Sequence, residues 1–261
     1  MPNGDLVTGN TIIKIWNTKD GTLKKTLTGH TQWICDLIAI DDNYLISASD
    51  DTTIKIWNIN RGTVEKTLNI HTGRVLALKM LKNGDLASGS SDKTIKIWEI
   101  YTGHVKRTLL GHTGSVCTLL VLENGDLVSG SYDSTIKIWT AKNGMVKRTL
   151  TGHKQCVNKL VLLENGDLVS GSDDCSIKIW NTENGTVKRT LTGHPGAVSF
   201  LKMLDNGDLV SGSYDRTIKI WDAETGLVKK EIELDSFVRY LEVLSNGDLV
   251  SASGKSVVIW E

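Results

Sequence analysis

The sequence predicts an all-β protein assembled from seven copies of one antiparallel four-stranded unit. Three observations predict it. Tryptophan recurs at Trp16, Trp57, Trp98, Trp139, Trp180 and Trp221, a step of 41 residues, and a seventh copy ends at Trp260, two residues early. A fixed period of this size marks a repeat architecture. Between the tryptophans, short apolar runs are separated by turn signals, and no stretch keeps a helical period.

The unit from Gly111 to Leu150 shows each element in order. Val116 to Leu122 is apolar and β-branched, as a buried strand requires. Asn124-Gly125-Asp126 is a tight-turn signal between two apolar runs. Leu127 to Ser131 makes a second strand, and Tyr132-Asp133-Ser134 turns the chain again. Thr135 to Trp139 alternates with period two, so one face is expected to pack and Lys137 to point away. Asn143-Gly144 makes the third turn, and Val146 to Leu150 is a polar outer strand.

Five full repeats close at Trp57, Trp98, Trp139, Trp180 and Trp221. The second of these has Ile70-His71 where the others have Gly-His. The ends depart from the pattern. Residues 1–16 hold only the second and third strands of a unit, and Thr8-Gly9-Asn10-Thr11 lacks the turn aspartate. In the last unit Leu234-Asp235-Ser236-Phe237 replaces the Gly-His loop, and Ser253-Gly254-Lys255-Ser256 replaces the SxDxT turn. Atypical terminal copies are expected of a repeat array.

The Gly-His dipeptide, the SGSxD segment and the closing Ile-Trp, at this spacing, resemble the WD-repeat β-propeller family. That family usually closes on Trp-Asp, which only Trp221-Asp222 matches in full; the other copies read WN, WE or WT. The resemblance covers the whole chain. It implies four-stranded blades around a central channel. The expectation is a single seven-bladed propeller domain over 1–261. Its first blade would lack the inner strand and its last the outer one, leaving edges at Asp5 to Gly9 and Ser256 to Trp260 open to self-association.

One constellation imitates catalysis. His30, Ser47, Asp51 and Trp57 recur as His71, Ser88, Asp92 and Trp98, then as His112, Ser129, Asp133 and Trp139. They recur again as His153, Ser170, Asp174 and Trp180, and as His194, Ser211, Asp215 and Trp221. A Ser-His-Asp trio suggests a hydrolase. A catalytic trio comes once per site, however, and this set comes five times, each with a tryptophan whose indole N–H needs an acceptor. In the family it resembles, these four residues form a structural hydrogen-bond network. No catalytic residue, metal site or cofactor is expected.

A binding face is expected where the copies differ. The Gly-His loop and the SxD turn share one end of each unit, and that end varies; the NGD and xxG turns at the other end barely change. Three residues after each histidine come Trp33, Arg74, Ser115, Cys156 and Ala197, with Phe237 in the last unit. Five residues after come Cys35, Leu76, Cys117, Asn158 and Ser199, then Arg239. Before each turn aspartate come Asp50, Ser91, Tyr132, Asp173 and Tyr214. In the family it resembles, these positions ring the channel mouth and bind peptides and proteins. Trp33 is the one tryptophan outside the repeat position. It is either a half-buried loop residue or an anchor for a partner, since Trp, Tyr and Arg dominate interface energetics.

Charge excludes other classes. Thirty basic and thirty acidic residues cancel, so neither nucleic acid nor an anionic membrane is expected as partner. Outer strands carry Lys24-Lys25, Lys106-Arg107, Lys147-Arg148, Lys188-Arg189 and Lys229-Lys230, read as a basic rim that protects exposed edges. Glu123, Asp126, Glu164, Asp167, Asp205, Asp208 and Asp248 are read as an acidic face balancing it. Cys35, Cys117, Cys156 and Cys175 form no CxxC pair and are expected to be reduced. The N-terminus is already repeat sequence and no apolar run reaches the ~20 residues of a membrane span, so a cytoplasmic or nuclear, non-secreted protein is expected. The reading is a non-catalytic scaffold that binds a protein or peptide. The alternative is the substrate-recognition part of a larger ligase or signalling assembly; a propeller enzyme is the third class.

Overall fold

The computed structural model describes residues 1–237 in full and the course of strands at 240–243, 249–253 and 256–260. Among the described residues every regular element is a strand. Contacts group the chain into two compact units, Met1–Leu119 and Leu120–Glu261.

In the first unit, β1 (Leu6–Gly9), β2 (Ile13–Trp16) and β3 (Leu23–Leu27) form a three-stranded antiparallel sheet. A four-stranded sheet follows: β4 (Ile34–Ala39), β5 (Tyr44–Ser49), β6 (Ile54–Asn58) and β7 (Thr63–Leu68). So does a second: β8 (Val75–Met80), β9 (Leu86–Ser90), β10 (Ile95–Glu99) and β11 (His104–Leu109). The sheet of β12 (Val116–Val121), β13 (Leu127–Ser131), β14 (Ile136–Trp139) and β15 (Val146–Leu150) begins at the unit boundary. In the second unit, β16 (Val157–Leu162), β17 (Leu168–Ser172), β18 (Ile177–Trp180) and β19 (Val187–Leu191) form the next sheet. It is followed by β20 (Val198–Met203), β21 (Leu209–Ser213), β22 (Thr217–Trp221) and β23 (Val228–Glu233). The last sheet has three strands, β24 (Tyr240–Val243), β25 (Leu249–Ser253) and β26 (Ser256–Trp260).

Turn chemistry makes these hairpins. At Leu122–Asp126 the Asn124 side chain caps the Asp126 amide at 2.9 Å, and Gly125 takes a φ of 87° that a side chain would resist. Outer pairs carry a bulge at the tryptophan, as at Ile138/Trp139, which turns the ring into the core.

The core lies between consecutive sheets. Trp180 packs with Ile136 and Ile138 of the sheet before it, and Trp221 with Ile177 and Ile179. In the first unit Trp57 packs with Ile13 and Ile15, and Trp98 with Ile54 and Ile56. Trp57, Trp98, Trp139, Trp180 and Trp221 are at most 1% exposed. Each ring's burial is worth on the order of 4–6 kcal/mol as an upper bound. Glycine permits this stacking: a Cβ on Gly171 would lie 2.7 Å from Val198 Cγ1 in the next sheet's inner strand.

The packing corrects the expectation that the lysine face of the third strand points away. Lys96 and Lys219 are buried, and Lys137 is half-buried. The reason is geometric. Lysine and tryptophan share one face of the strand, and the tryptophan brings the preceding sheet against it. The ammonium groups therefore turn along their own sheet, Lys137 Nζ to Thr149 Oγ1 at 2.9 Å and Lys178 Nζ to Thr190 Oγ1 at 3.0 Å. Where Glu231 replaces that threonine, Lys219 pairs with it at 2.5 Å.

The expected acidic face is corrected in part: Glu123, Glu164 and Asp205 are exposed as expected. Asp126, Asp167 and Asp208 are buried rather than displayed. Each pairs with the first basic residue of its own outer strand: Lys147 at 2.8 Å, Lys188 at 2.7 Å and Lys229 at 2.6 Å. Asp5–Lys24 and Asp85–Lys106 do the same at 2.6 and 2.7 Å. The second basic residue reaches the next repeat: Lys25 Nζ donates to Ile59 O at 2.6 Å, and Arg148 donates to Asn184 O at 2.9 Å. Those parts of the rim are internal clamps, not free charge. Asp248 lies outside the described residues.

Candidate functional site

Five loop–turn ends carry the residues in question. At each, the turn aspartate organises the chain. In the sheet β4–β7, Asp51 Oδ1 accepts from the Thr53 amide at 3.0 Å and its hydroxyl at 2.6 Å. Its other oxygen takes the Thr31 amide at 3.0 Å and His30 Nδ1 at 2.7 Å. Burial works to raise this carboxyl, but the Thr53, Thr31 and His30 bonds outweigh it and hold Asp51 at about 2. Asp174 is held at about 2 in the same way.

From the histidine the chain of bonds runs inward. His30 Nε2 lies 2.6 Å from Ser47 Oγ, which accepts from Trp57 Nε1 at 2.8 Å. His71 lies 2.6 Å from Asp92 and 2.7 Å from Ser88, with Trp98 on Ser88 at 2.7 Å. His153 lies 2.8 Å from Asp174 and 2.7 Å from Ser170, with Trp180 on Ser170 at 2.8 Å. His194 lies 2.6 Å from Asp215 and 2.7 Å from Ser211, with Trp221 on Ser211 at 2.7 Å. Trp139 donates to Ser129 at 2.8 Å, Thr135 donates to Asp133 at 2.6 Å, and His112 is buried.

The donors fix one tautomer. Indole N–H fills one serine lone pair, so the hydroxyl donates to histidine Nε2, and Nδ1–H donates to the carboxylate. The imidazole is neutral. Burial lowers the pKa of His30, His71, His153 and His194, although the facing aspartate pulls the other way. The geometry is that of a nucleophile relay, yet Ser47, Ser88, Ser170 and Ser211 are fully buried and already hydrogen-bonded to the indole. A hydroxyl that substrate cannot reach does not attack.

The hydroxyl after the turn is a fifth member that the sequence reading left out: Thr53, Thr94, Thr135, Ser176 and Thr217 each bond the turn aspartate. Its signal was the fixed spacing of Asp-x-Thr/Ser. The first sheet keeps only a stub of the network, Trp16 Nε1 to Thr8 Oγ1 at 2.9 Å.

Outside this frame the variable residues face one another. In the first unit the Asp50 amide bonds Trp33 O at 2.8 Å, and the Ser91 amide bonds Arg74 O at 2.8 Å. Trp33 is 52% exposed. Asp50 accepts the Cys35 thiol at 3.1 Å and lies 3.6 Å from the Arg74 guanidinium. Desolvation of the sulfur, then the Asp50 carboxylate, push Cys35 up to about 12, although the residue as a whole is exposed; it stays a thiol. In the second unit the Asp173 amide bonds Cys156 O at 2.9 Å, and the Tyr214 amide bonds Ala197 O at 3.0 Å. Asn158 Nδ2 bridges Asp173 Oδ1 at 2.7 Å and Val198 O at 3.0 Å. Tyr132 and Tyr214 are 60% and 56% exposed. Tyr214 meets Phe237 edge-to-face at 5.6 Å. Arg239 lies outside the described residues.

Among the described residues no group of His, Cys, Asp and Glu has metal-site geometry. No helix is long and apolar enough to cross a membrane. No curated protein matches the chain at a significant level. The family model described as WD domain, G-beta repeat matches residues 21–58, 62–99, 103–140, 144–181 and 185–222. These five matches cover most of the sequence, and each runs from an outer strand to the tryptophan of the next sheet, so the chain belongs to the WD-repeat family.

Proposed function

We propose that this chain is a non-catalytic scaffold that binds another protein or a peptide at the Gly-His-loop and SxD-turn ends of its sheets. WD repeats generally mediate protein–protein interaction. The observation that carries the choice of end is exposure combined with variation. Trp33, Tyr132 and Tyr214 stand more than half exposed within a frame whose other positions are near copies. Zero net charge supports a protein partner over nucleic acid. In this proposal the seven sheets belong to one domain and close as a seven-bladed propeller. The outer edge of β26 and the free edge of β1 would then be open to a second copy.

The test is quantitative capture of the partner by wild type and variants. Trp33→Ala, Tyr132→Ala and Arg74→Ala each weaken binding by more than ~1 kcal/mol if these are the anchors. Lys147→Ala, at the opposite end of its sheet, leaves affinity unchanged. Affinity lost on altering Lys147 and retained after Trp33→Ala would reverse the choice of end.

A further inference from the structure

Every SxD turn carries a strained residue that the network does not use. Thr52, Lys93, Ser134, Cys175 and Arg216 follow the turn aspartates and have φ between 66° and 70°. They are the five non-glycine residues with positive φ among the described residues. L-residues avoid this left-handed region, and a β-branched threonine avoids it most. Elsewhere the chain answers a positive φ with glycine, as at Gly84, Gly125, Gly166 and Gly207 in the NGD turns. At this one position it never does.

The turn leaves no choice of backbone. The strained amide bonds the carbonyl three residues back, Thr52 to Ser49 at 3.2 Å and Lys93 to Ser90 at 3.1 Å. The aspartate pins the following residue by two bonds, as Asp92 does Thr94 at 3.0 and 2.7 Å. A strained conformation persists where its surroundings over-determine it. The network thus explains the φ, but it does not explain why a side chain is kept there. Three of the five side chains are small and neutral and two are long and cationic, so no common packing role holds them. Lys93 and Arg216 are exposed, and neither side chain has an ion-pair or hydrogen-bond partner among the described residues. Each stands two residues beyond a proposed contact position, Ser91 or Tyr214.

We propose that these five left-handed positions are specificity-determining residues of the binding ends, and that Lys93 in the first unit and Arg216 in the second each favour a carboxylate of a peptide bound at its own turn. The inference rests on the proposed binding end. Unneutralised cations on fixed turns meet carboxylates with little loss of conformational freedom on binding.

A defined probe tests it: a peptide selected from a displayed random library on the full wild-type chain, then measured by fluorescence anisotropy. Selected sequences should be enriched in Asp and Glu. Lys93→Gly and Arg216→Gly should each weaken the probe at least about tenfold while raising Tm by roughly 2–4 °C, because glycine relieves the strain. Lys93→Ala and Arg216→Ala should weaken it equally without the gain in Tm. Glycine variants that bind as wild type, or melt below the alanine variants, overturn the proposal and leave the binding end standing. A selection that enriches peptides without acidic residues overturns the choice of partner. Recovery of no peptide at all overturns the binding end, and this inference with it.

Discussion

Ser170 holds its hydroxyl between two rings, accepting from Trp180 at 2.8 Å and facing His153 Nε2 at 2.7 Å. Removing the imidazole therefore orphans the serine proton and takes one of two donors from Asp174 Oδ2, which keeps the Lys154 amide at 2.9 Å. His153→Ala should cost about 1–3 kcal/mol in a denaturant titration. An unchanged midpoint would mean that the network does not support the fold. The same imidazole predicts a pH dependence. Its folded pKa lies below the ordinary 6.5, so the unfolded chain binds more protons as pH falls past that value. Stability should be flat above about pH 7 and decline as pH drops below about 6.5. A second loss should follow between about pH 4 and 2, where Asp51 and Asp174 protonate in the unfolded chain before the folded one. Thermal melts across pH 8 to 3 check both steps; a Tm that rises on acidification from pH 7 to 5.5 contradicts the neutral, buried imidazole. These residues were legible because they repeat: the spacing marked the set, and the resemblance to the WD-repeat family implied the bonds within it. The fifth hydroxyl was equally legible and was read only as turn chemistry.

Within each element, the ion pairs decide what is frame. Asp167 and Lys188 stand 21 positions apart, brought together because the first hairpin and the outer strand end on the same side of the sheet. Charge pattern alone gave two faces of opposite sign; only strand register shows that the aspartate of the NGD turn and the first lysine of the outer strand are spent on each other. The chain contains its own control. In the sheet β4–β7, Tyr44 stands where the other full repeats have this aspartate, and Glu65 stands where they have this lysine. Both partners are absent together, and Glu65 lies 3.4 Å from Arg61 instead. Lys188→Ala leaves a buried carboxylate unpaired and should destabilise more than Asp167→Ala, which leaves a half-exposed lysine. The double variant should cost less than the sum, by about 0.5–1 kcal/mol. Additive losses in a double-mutant cycle would make the pair incidental. The opposite error concerns Lys96 and Lys219. Period-two alternation sorts residues between faces, but it cannot say that both faces are covered, which follows from sheets stacking on each other.

For the whole molecule, the five full repeats and their strand order were readable from the tryptophan period, and sheets of three strands stand at the two ends of the order. Among the described residues β1 pairs with β2 alone. Its residues are half-buried to exposed, whereas β5, β9, β13, β17 and β21, the equivalent strands, are buried almost throughout. An open strand edge invites pairing, so light scattering over a concentration series should show a mass rising with concentration. A constant monomer mass would mean that the edge is protected. Turn strain, by contrast, left no trace in composition: nothing in Asp-x-Thr names the φ of x until the backbone is seen.

In the proposed function, near-identical frames present a variable binding end. Hydrogen–deuterium exchange of the full chain, with and without a bound peptide selected on it, tests this most directly. Slowed exchange is expected at 31–35, 49–52, 72–76, 90–93, 132–135, 173–176 and 214–217, with the turns at 82–85, 123–126 and 164–167 unchanged. Protection confined to those three turns, with the loop and SxD segments exchanging as in the free chain, would contradict it.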